Sequence, residues 1–156
     1  MISAWRIDKA TRSRESSFSG EGAALAGGRW NHPGARIVYA AEALSLAALE
    51  KFIHLGDEGR ALKLVSYRIE IPSSVAIEEI KLKGLPDDWL SAPAPRATMD
   101  IGTRWARGAH TVVLKVPSAV IEGEYNYLLN PLHPDFKILK ISTAQPFEFD
   151  ARMWRP

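Results

Sequence analysis

The sequence predicts an α+β domain, on three observations. Segments with the β-branched or alternating pattern of strands lie before and after two helical stretches, without regular strand–helix–strand alternation. The glycine pattern of a doubly wound nucleotide fold, Gly-x-Gly-x-x-Gly after a strand, is missing, and so is the phosphate loop Gly-x-x-x-x-Gly-Lys-Ser/Thr. A chain of 156 residues, 46% hydrophobic and 24% charged, suits one globular domain, taken as residues 1–156.

In chain order, Ser3–Ile7 reads as a short strand with Trp5 and Ile7 on one face. Gly20-Glu21-Gly22 and Gly27-Gly28 mark a loop-rich stretch that fits neither period. Arg36–Ala41 is a β-branched strand, and Glu42–Leu55 a Leu- and Ala-rich helix with Gly56 placed to end it. Alternation over Leu62–Ile71 predicts a strand stopped by Pro72, and a further strand is expected over Val75–Leu82. Leu85–Pro95 is a Pro-rich connector, and Met99–Arg107 a short helix ending at Gly108. Thr111–Val116 and Phe136–Ser142 complete the strands, whereas Glu124–His133, with Asn126, Asn130, Pro131 and His133, reads as a polar, turn-like patch.

Composition narrows the chemistry. Without cysteine there is no disulfide and no thiolate metal site. The four histidines, His32, His54, His110 and His133, have no metal-ligand spacing, and no zinc, EF-hand or Gly-x-Ser-x-Gly signature appears, so no metal is expected. No signal peptide opens the chain and no apolar run reaches the roughly 20 residues of a membrane span, which makes a soluble cytoplasmic protein the expectation. The 20 basic and 18 acidic residues are interspersed, and Arg104-Trp105-Ala106-Arg107 is too short to make a nucleic-acid footprint. Direct nucleic-acid binding is therefore not expected.

Several side chains could carry chemistry. Glu50 has Leu46, Ala47, Ile53 and His54 as its helical neighbours, and a carboxylate there either pairs, reaches solvent or works. The same holds for its neighbour Lys51, and periodicity does not choose between them. Arg6 stands among apolar strand residues and Arg29 follows two glycines; both suit phosphate, whose oxygens the planar guanidinium can grip in pairs, and both suit a structural ion pair. Tyr39 reads equally as a core aromatic, Ser118 as a turn former beyond a strand end, and Asn126 as part of a capped loop.

Taken together, the segments resemble the RES domain family, named for its Arg, Glu and Ser. The pieces occur in order: Trp5-Arg6, Gly28-Arg29-Trp30-Asn31, Val38-Tyr39-Ala40-Ala41, Leu46-Ala47-Ala48-Leu49-Glu50, Lys115-Val116-Pro117-Ser118-Ala119-Val120, and Glu124-Tyr125-Asn126-Tyr127-Leu128-Leu129-Asn130-Pro131 with His133. They cover the chain from about Ala4 to Phe149. The resemblance implies a compact ADP-ribosyltransferase-like domain, a small mixed or antiparallel sheet flanked by helices. It implies the toxin of a toxin–antitoxin pair that cleaves the nicotinamide–ribose bond of NAD⁺ and so arrests growth. The alternatives are an ADP-ribosyltransferase acting on a specific protein and a non-catalytic binding module of the same fold. In this reading Glu50, Arg6 and Tyr39 are catalytic, and Arg6, Arg29, Tyr39, Ser118 and Asn126 bind NAD⁺, which is a substrate. The implied partner is an Xre-type helix-turn-helix antitoxin, with a homodimer of the toxin within the complex. The acceptor of ADP-ribose (water, phosphate or protein) stays open.

Overall fold

The computed structural model describes residues 1–155. Its strands are β1 (Ile2–Lys9), β2 (Val38–Ala41), β3 (Leu64–Ile71), β4 (Ile77–Glu79), β5 (Val113–Pro117), β6 (Tyr125–Leu129), β7 (Lys140–Ile141) and β8 (Gln145–Phe147). Its α-helices are α1 (Arg14–Ser17), α2 (Glu21–Ala26), α3 (Leu44–His54) and α4 (Arg96–Gly108). The strands make one sheet in the order β4-β5-β6-β2-β1-β3-β7, with β8 also paired to β3, and the sheet curls into a half-barrel. Every pairing is antiparallel except β4 with β5, so the sheet is mixed and the class is α+β. No helix among the described residues is long and apolar enough to cross a membrane.

Side-chain alternation gives each strand two working faces. On one, Ala4, Val38, Ala40, Tyr67, Ile69, Tyr127 and Leu129 form a core closed by Phe18, whose ring meets Tyr67 edge-on at 5.2 Å. On the other, Ile7 and Ala41, with Trp5 beside them, receive Leu46 and Ala47 of α3. Complete burial of Leu46 contributes about 2 kcal/mol. Further along that face Leu114, Val116 and Leu128 meet Trp30 and the α4 residue Trp105.

One asymmetry positions everything that follows. β1 is registered with β3 along its whole length, from Ile2 opposite Ile71 to Lys9 opposite Leu64. With β2 it shares a single registered pair, Trp5 with Ala41. Past that pair the two central strands part, and the sheet opens between them.

Several expectations are corrected. The patch Glu124–His133 contains β6, a strand in the interior of the sheet between β5 and β2. Its polar residues misled because they are satisfied inside the fold rather than by solvent. The sheet has eight strands and is not small. The strand expected over Val75–Leu82 shrinks to Ile77–Glu79, followed by a 3-10 turn at Leu82–Gly84. The first part of Phe136–Ser142 belongs to a 3-10 turn, Pro134–Ile138, leaving two strand residues, because His133 caps the amide of Asp135 and Pro134 opens the turn. Within the glycine-rich stretch lies α2. Helix α3 starts two residues late because Glu42 still belongs to the sheet: its amide donates to the Tyr125 carbonyl and its carboxylate accepts from the Tyr125 amide. It ends at His54, with Gly56 in extended backbone rather than a left-handed cap. Helix α4 starts earlier, at Arg96 after Pro95, and it is Ala109, not Gly108, that turns left-handed at its end.

Candidate functional site

Glu50 lies on the face of α3 turned to the sheet. Its Oε1 accepts from Ser118 Oγ at 2.9 Å and from Asn126 Nδ2 at 2.8 Å. The backbone holds both donors. Ser118 follows β5, where its hydroxyl also accepts from the amides of Val120 and Ile121, and Asn126 lies in β6 opposite Ala41. The carboxylate is thus oriented by one oxygen, while Oε2 has no protein donor among the described residues. Such a half-satisfied, half-buried carboxylate keeps acceptor capacity for a ligand.

Arg6 spans the opening between β1 and β2. Its Nη1 donates to the Tyr39 carbonyl at 3.0 Å, where a neighbouring strand would otherwise place an amide. Nε donates to Ser17 and Nη2 to Asp8, at 3.2 and 3.3 Å. A guanidinium has five N–H donors, so two remain. Burial lowers its pKa from the usual value, Asp8 opposes that shift and Arg12 adds to it. It stays cationic at neutral pH.

Tyr39 and Arg29 frame the far side. The Tyr39 hydroxyl donates to Asn31 Oδ1 at 2.7 Å and accepts from the Trp30 amide at 3.1 Å, which pins the Gly28–Asn31 loop to β2. Burial pushes this phenol well above its usual pKa, against the lowering effects of the Trp30 amide and Arg29. The approach is close enough that a Cβ on Gly28 would stand 2.7 Å from the Tyr39 oxygen, so only glycine fits. Arg29 turns its Nη1 onto the carbonyls of Trp89 and Ser91, in the Pro-rich connector, at 2.7 and 2.9 Å. Its Nε and Nη2 donors have no protein acceptor among the described residues.

The six residues singled out from sequence therefore fall into two groups. Glu50, Ser118 and Asn126 form one hydrogen-bonded unit, and Arg6 meets the Tyr39 carbonyl one strand away, with Arg29 near enough to lower the pKa of the Tyr39 phenol. Sequence reasoning missed Asp8, which is 3% exposed, and its hydroxyl partner Ser17. Asp8 stands two positions from Arg6 and hence on the same face of the strand, a signal that was available. Two cavities lie away from Glu50: one of about 200 Å³ among His32, Asp100, Thr103, Arg104 and Arg107, and one of about 450 Å³ bordered by Ile80, Lys81, Lys83 and Arg104. In the first, His32 Nε2 pairs with Asp100 at 2.6 Å. Neither cavity is lined by any of the six residues singled out from the sequence, which gather instead around Glu50 and Arg6. No cluster of three or more His, Asp or Glu able to hold a metal occurs among the described residues.

Known proteins are similar to this sequence over nearly their whole length. The chain is 41% identical to the Prs ADP-ribosylating toxin of Sphingobium sp. (strain YBL2) over 154 residues, 97% of this chain and 96% of that protein. It is 41% identical to a Toxin Res of Yersinia enterocolitica over 140 residues, 88% of this chain and 91% of that one. A Toxin Res of Pseudomonas putida is 33% identical over 96% of the chain and 98% of its own. Among solved structures, the crystal structure of the M. tuberculosis MbcT–MbcA toxin–antitoxin complex superposes with a TM-score of 0.72 at 18% identity, covering 94% of this chain and 84% of that one, and so shares the fold. The RES domain model matches residues 3–150, the span that contains every residue of the site, and the chain belongs to the RES domain family.

Proposed function

We propose that this protein is the toxin of a toxin–antitoxin pair and that it consumes NAD⁺ at the opening beside Glu50. The observation that carries the reading is the carboxylate itself, tethered through Oε1 by Ser118 and Asn126 with Oε2 left for a ligand. Breaking the bond between the nicotinamide nitrogen and ribose C1′ sends its electron pair to the ring nitrogen and leaves positive charge on the ribose, as in glycoside cleavage. An ionised carboxylate fixed beside C1′ stabilises that charge, and its fixation means no reorganisation at the moment of reaction. The acceptor oxygen then bonds C1′ and loses its proton. Nicotinamide leaves as a neutral molecule, so no strong acid is required. Arg6, with two donors unspent, and Arg29, with Nε and Nη2 unspent, suit the phosphates and ribose, and the half-exposed Tyr39 ring suits the nicotinamide end. Ser118 and Asn126 serve the substrate through Glu50.

Incubating the purified protein with NAD⁺ and quantifying nicotinamide tests the reading directly. Glu50→Gln, which keeps an acceptor for Ser118 and Asn126 but removes the charge, should lower turnover at least ~100-fold with the melting temperature little changed. Ser118→Ala, which leaves the charge but frees the carboxylate, should slow it about tenfold. Folded Glu50→Gln protein consuming NAD⁺ at the parent's rate sinks the proposal.

A second reading has an observation of its own. The Sphingobium relative is named for ADP-ribosylation, which makes a protein side chain a candidate acceptor here. Labelled NAD⁺ added to a cell extract distinguishes the two, giving free ADP-ribose derivatives in one case and one labelled protein in the other. The partner proposed is an antitoxin of the helix-turn-helix Xre type that covers the opening, in a complex built on a toxin homodimer and acting in the cytoplasm. The shared fold with MbcT, solved in complex with MbcA, supports an antitoxin partner.

A further inference from the structure

Asp8 is a buried carboxylate that the chemistry above leaves unused. Its two short bonds come from neutral donors, the Ser17 hydroxyl at 2.7 Å and the Lys9 amide at 2.8 Å. Three cations stand farther out, Arg6 Nη2 at 3.3 Å, Arg12 Nε at 3.9 Å and Lys51 Nζ at 4.0 Å. One carboxylate faces three cations, an excess of two positive charges in a partly buried place. Lys51 is the least satisfied member: its ammonium has no acceptor within hydrogen-bond distance among the described residues, although its side chain is only 24% exposed. Burial lowers its pKa, Asp8 opposes this, and Arg6, Lys9 and Arg12 push the same way as burial.

Position gives the cluster its meaning. Lys51 follows Glu50 on α3 and Arg6 belongs to β1, and Asp8 lies within 4.0 Å of both cations, so it ties the helix that bears Glu50 to the strand that bears Arg6. Arg29 stands apart from this cluster: its Nη1 is held by two carbonyls of the 85–95 connector, and only Nε and Nη2 are left for the ligand. Like charges crowded this closely destabilise the empty site and are relieved when an anion arrives. The two ionised phosphoryl groups of a dinucleotide match the excess in number and sign.

We propose that Asp8 is a positioning residue that sets Arg6 and Lys51 as a two-cation cradle for the diphosphate of NAD⁺, with Lys51 a substrate-binding residue. The inference rests on the NAD⁺ reading and adds the residues that grip the middle of the molecule. The α3 segment that bears Lys51 is itself braced, since Phe52 packs against Phe149 and Trp154 at 5.4 and 5.1 Å between ring centres.

Steady-state kinetics and calorimetry on Lys51→Met, Lys51→Arg, Asp8→Asn and Asp8→Glu test it, with two probes: ADP-ribose, which carries the diphosphate, and nicotinamide, which does not. For Lys51→Met, the KM for NAD⁺ and the Kd for ADP-ribose should each rise about tenfold. Its kcat and its inhibition by nicotinamide should hold, and Lys51→Arg should recover most of the affinity. Asp8→Asn should show the same KM rise, partly rescued in Asp8→Glu; should it fail to fold, the substitutions at Lys51 still decide. Parent-like KM and ADP-ribose affinity in Lys51→Met, or a loss confined to kcat, overturns the cradle alone. Wild-type protein that neither consumes NAD⁺ nor binds ADP-ribose overturns the NAD⁺ reading beneath it.

Discussion

Glu50 and Lys51 are adjacent on one helix and about 100° apart around its axis, and the sheet below gives them different work. Glu50 meets two donors aimed from β5 and β6; Lys51 meets the carboxylate of β1. No helical periodicity could have separated them, because the distinguishing partners lie 68 and 76 positions away for Glu50. The family motif, not the pattern, picked out the glutamate. Asp8 makes a residue-scale prediction. Burial pushes its carboxyl up, but Arg6, the Ser17 hydroxyl, the Lys9 amide and Lys51 outweigh that and hold it below the usual range. An unfolded aspartate titrates near ~3.9, so this group stabilises the fold above about pH 4 and ceases to do so as pH falls through its lower folded value. The melting temperature of the parent should therefore drop steeply below about pH 4, and that part of the acid limb should be missing in Asp8→Asn. An identical acid limb in the two proteins would rule out Asp8 as its source.

Among the elements, those with a clear period were legible, and the one site-bearing strand without it, β6, was not. β1, β3 and β5 have alternating or β-branched patterns that predicted them within a few residues. β6 was read as a loop because Asn126 interrupts its apolar run, yet that asparagine faces α3 and is satisfied by Glu50. The rule that interior strands are apolar fails where a polar side chain of the strand is satisfied by a partner packed over the sheet. Helix α4 holds the segment that precedes β2 through Asp100, Thr103 and Trp105, and its tightest approach is at Gly102. A Cβ at Gly102 would overlap the Trp30 carbonyl, whereas Gly84 has nothing within 4 Å of its added Cβ and no left-handed backbone. Gly102→Ala should thus cost on the order of 3 kcal/mol or more, and Gly84→Ala should stay within about 0.5 kcal/mol, by denaturant unfolding. Equal effects at the two positions would show that α4 does not seat against Trp30 so closely.

Over the whole molecule, the site is assembled at the centre of the sheet and braced from outside. Phe147, Phe149 and Trp154 form an aromatic layer on Phe52, over the outer side of the helix whose inner side carries Glu50. Trp154→Ala should remove roughly 1–3 kcal/mol and lower the melting temperature by several degrees, read by calorimetry. An unchanged transition would mean the layer only decorates α3. The long reach in sequence between Glu50 and its tethers also has a consequence in time. The carboxylate waits for its tethers: Asn126 is added 76 residues after Glu50. At about 5–20 residues per second, synthesis of that stretch takes roughly 4–15 s. A growing chain consequently carries Arg6 and Glu50 for seconds before β6 arrives to orient the carboxylate, so the geometry around Glu50 is completed only late in synthesis.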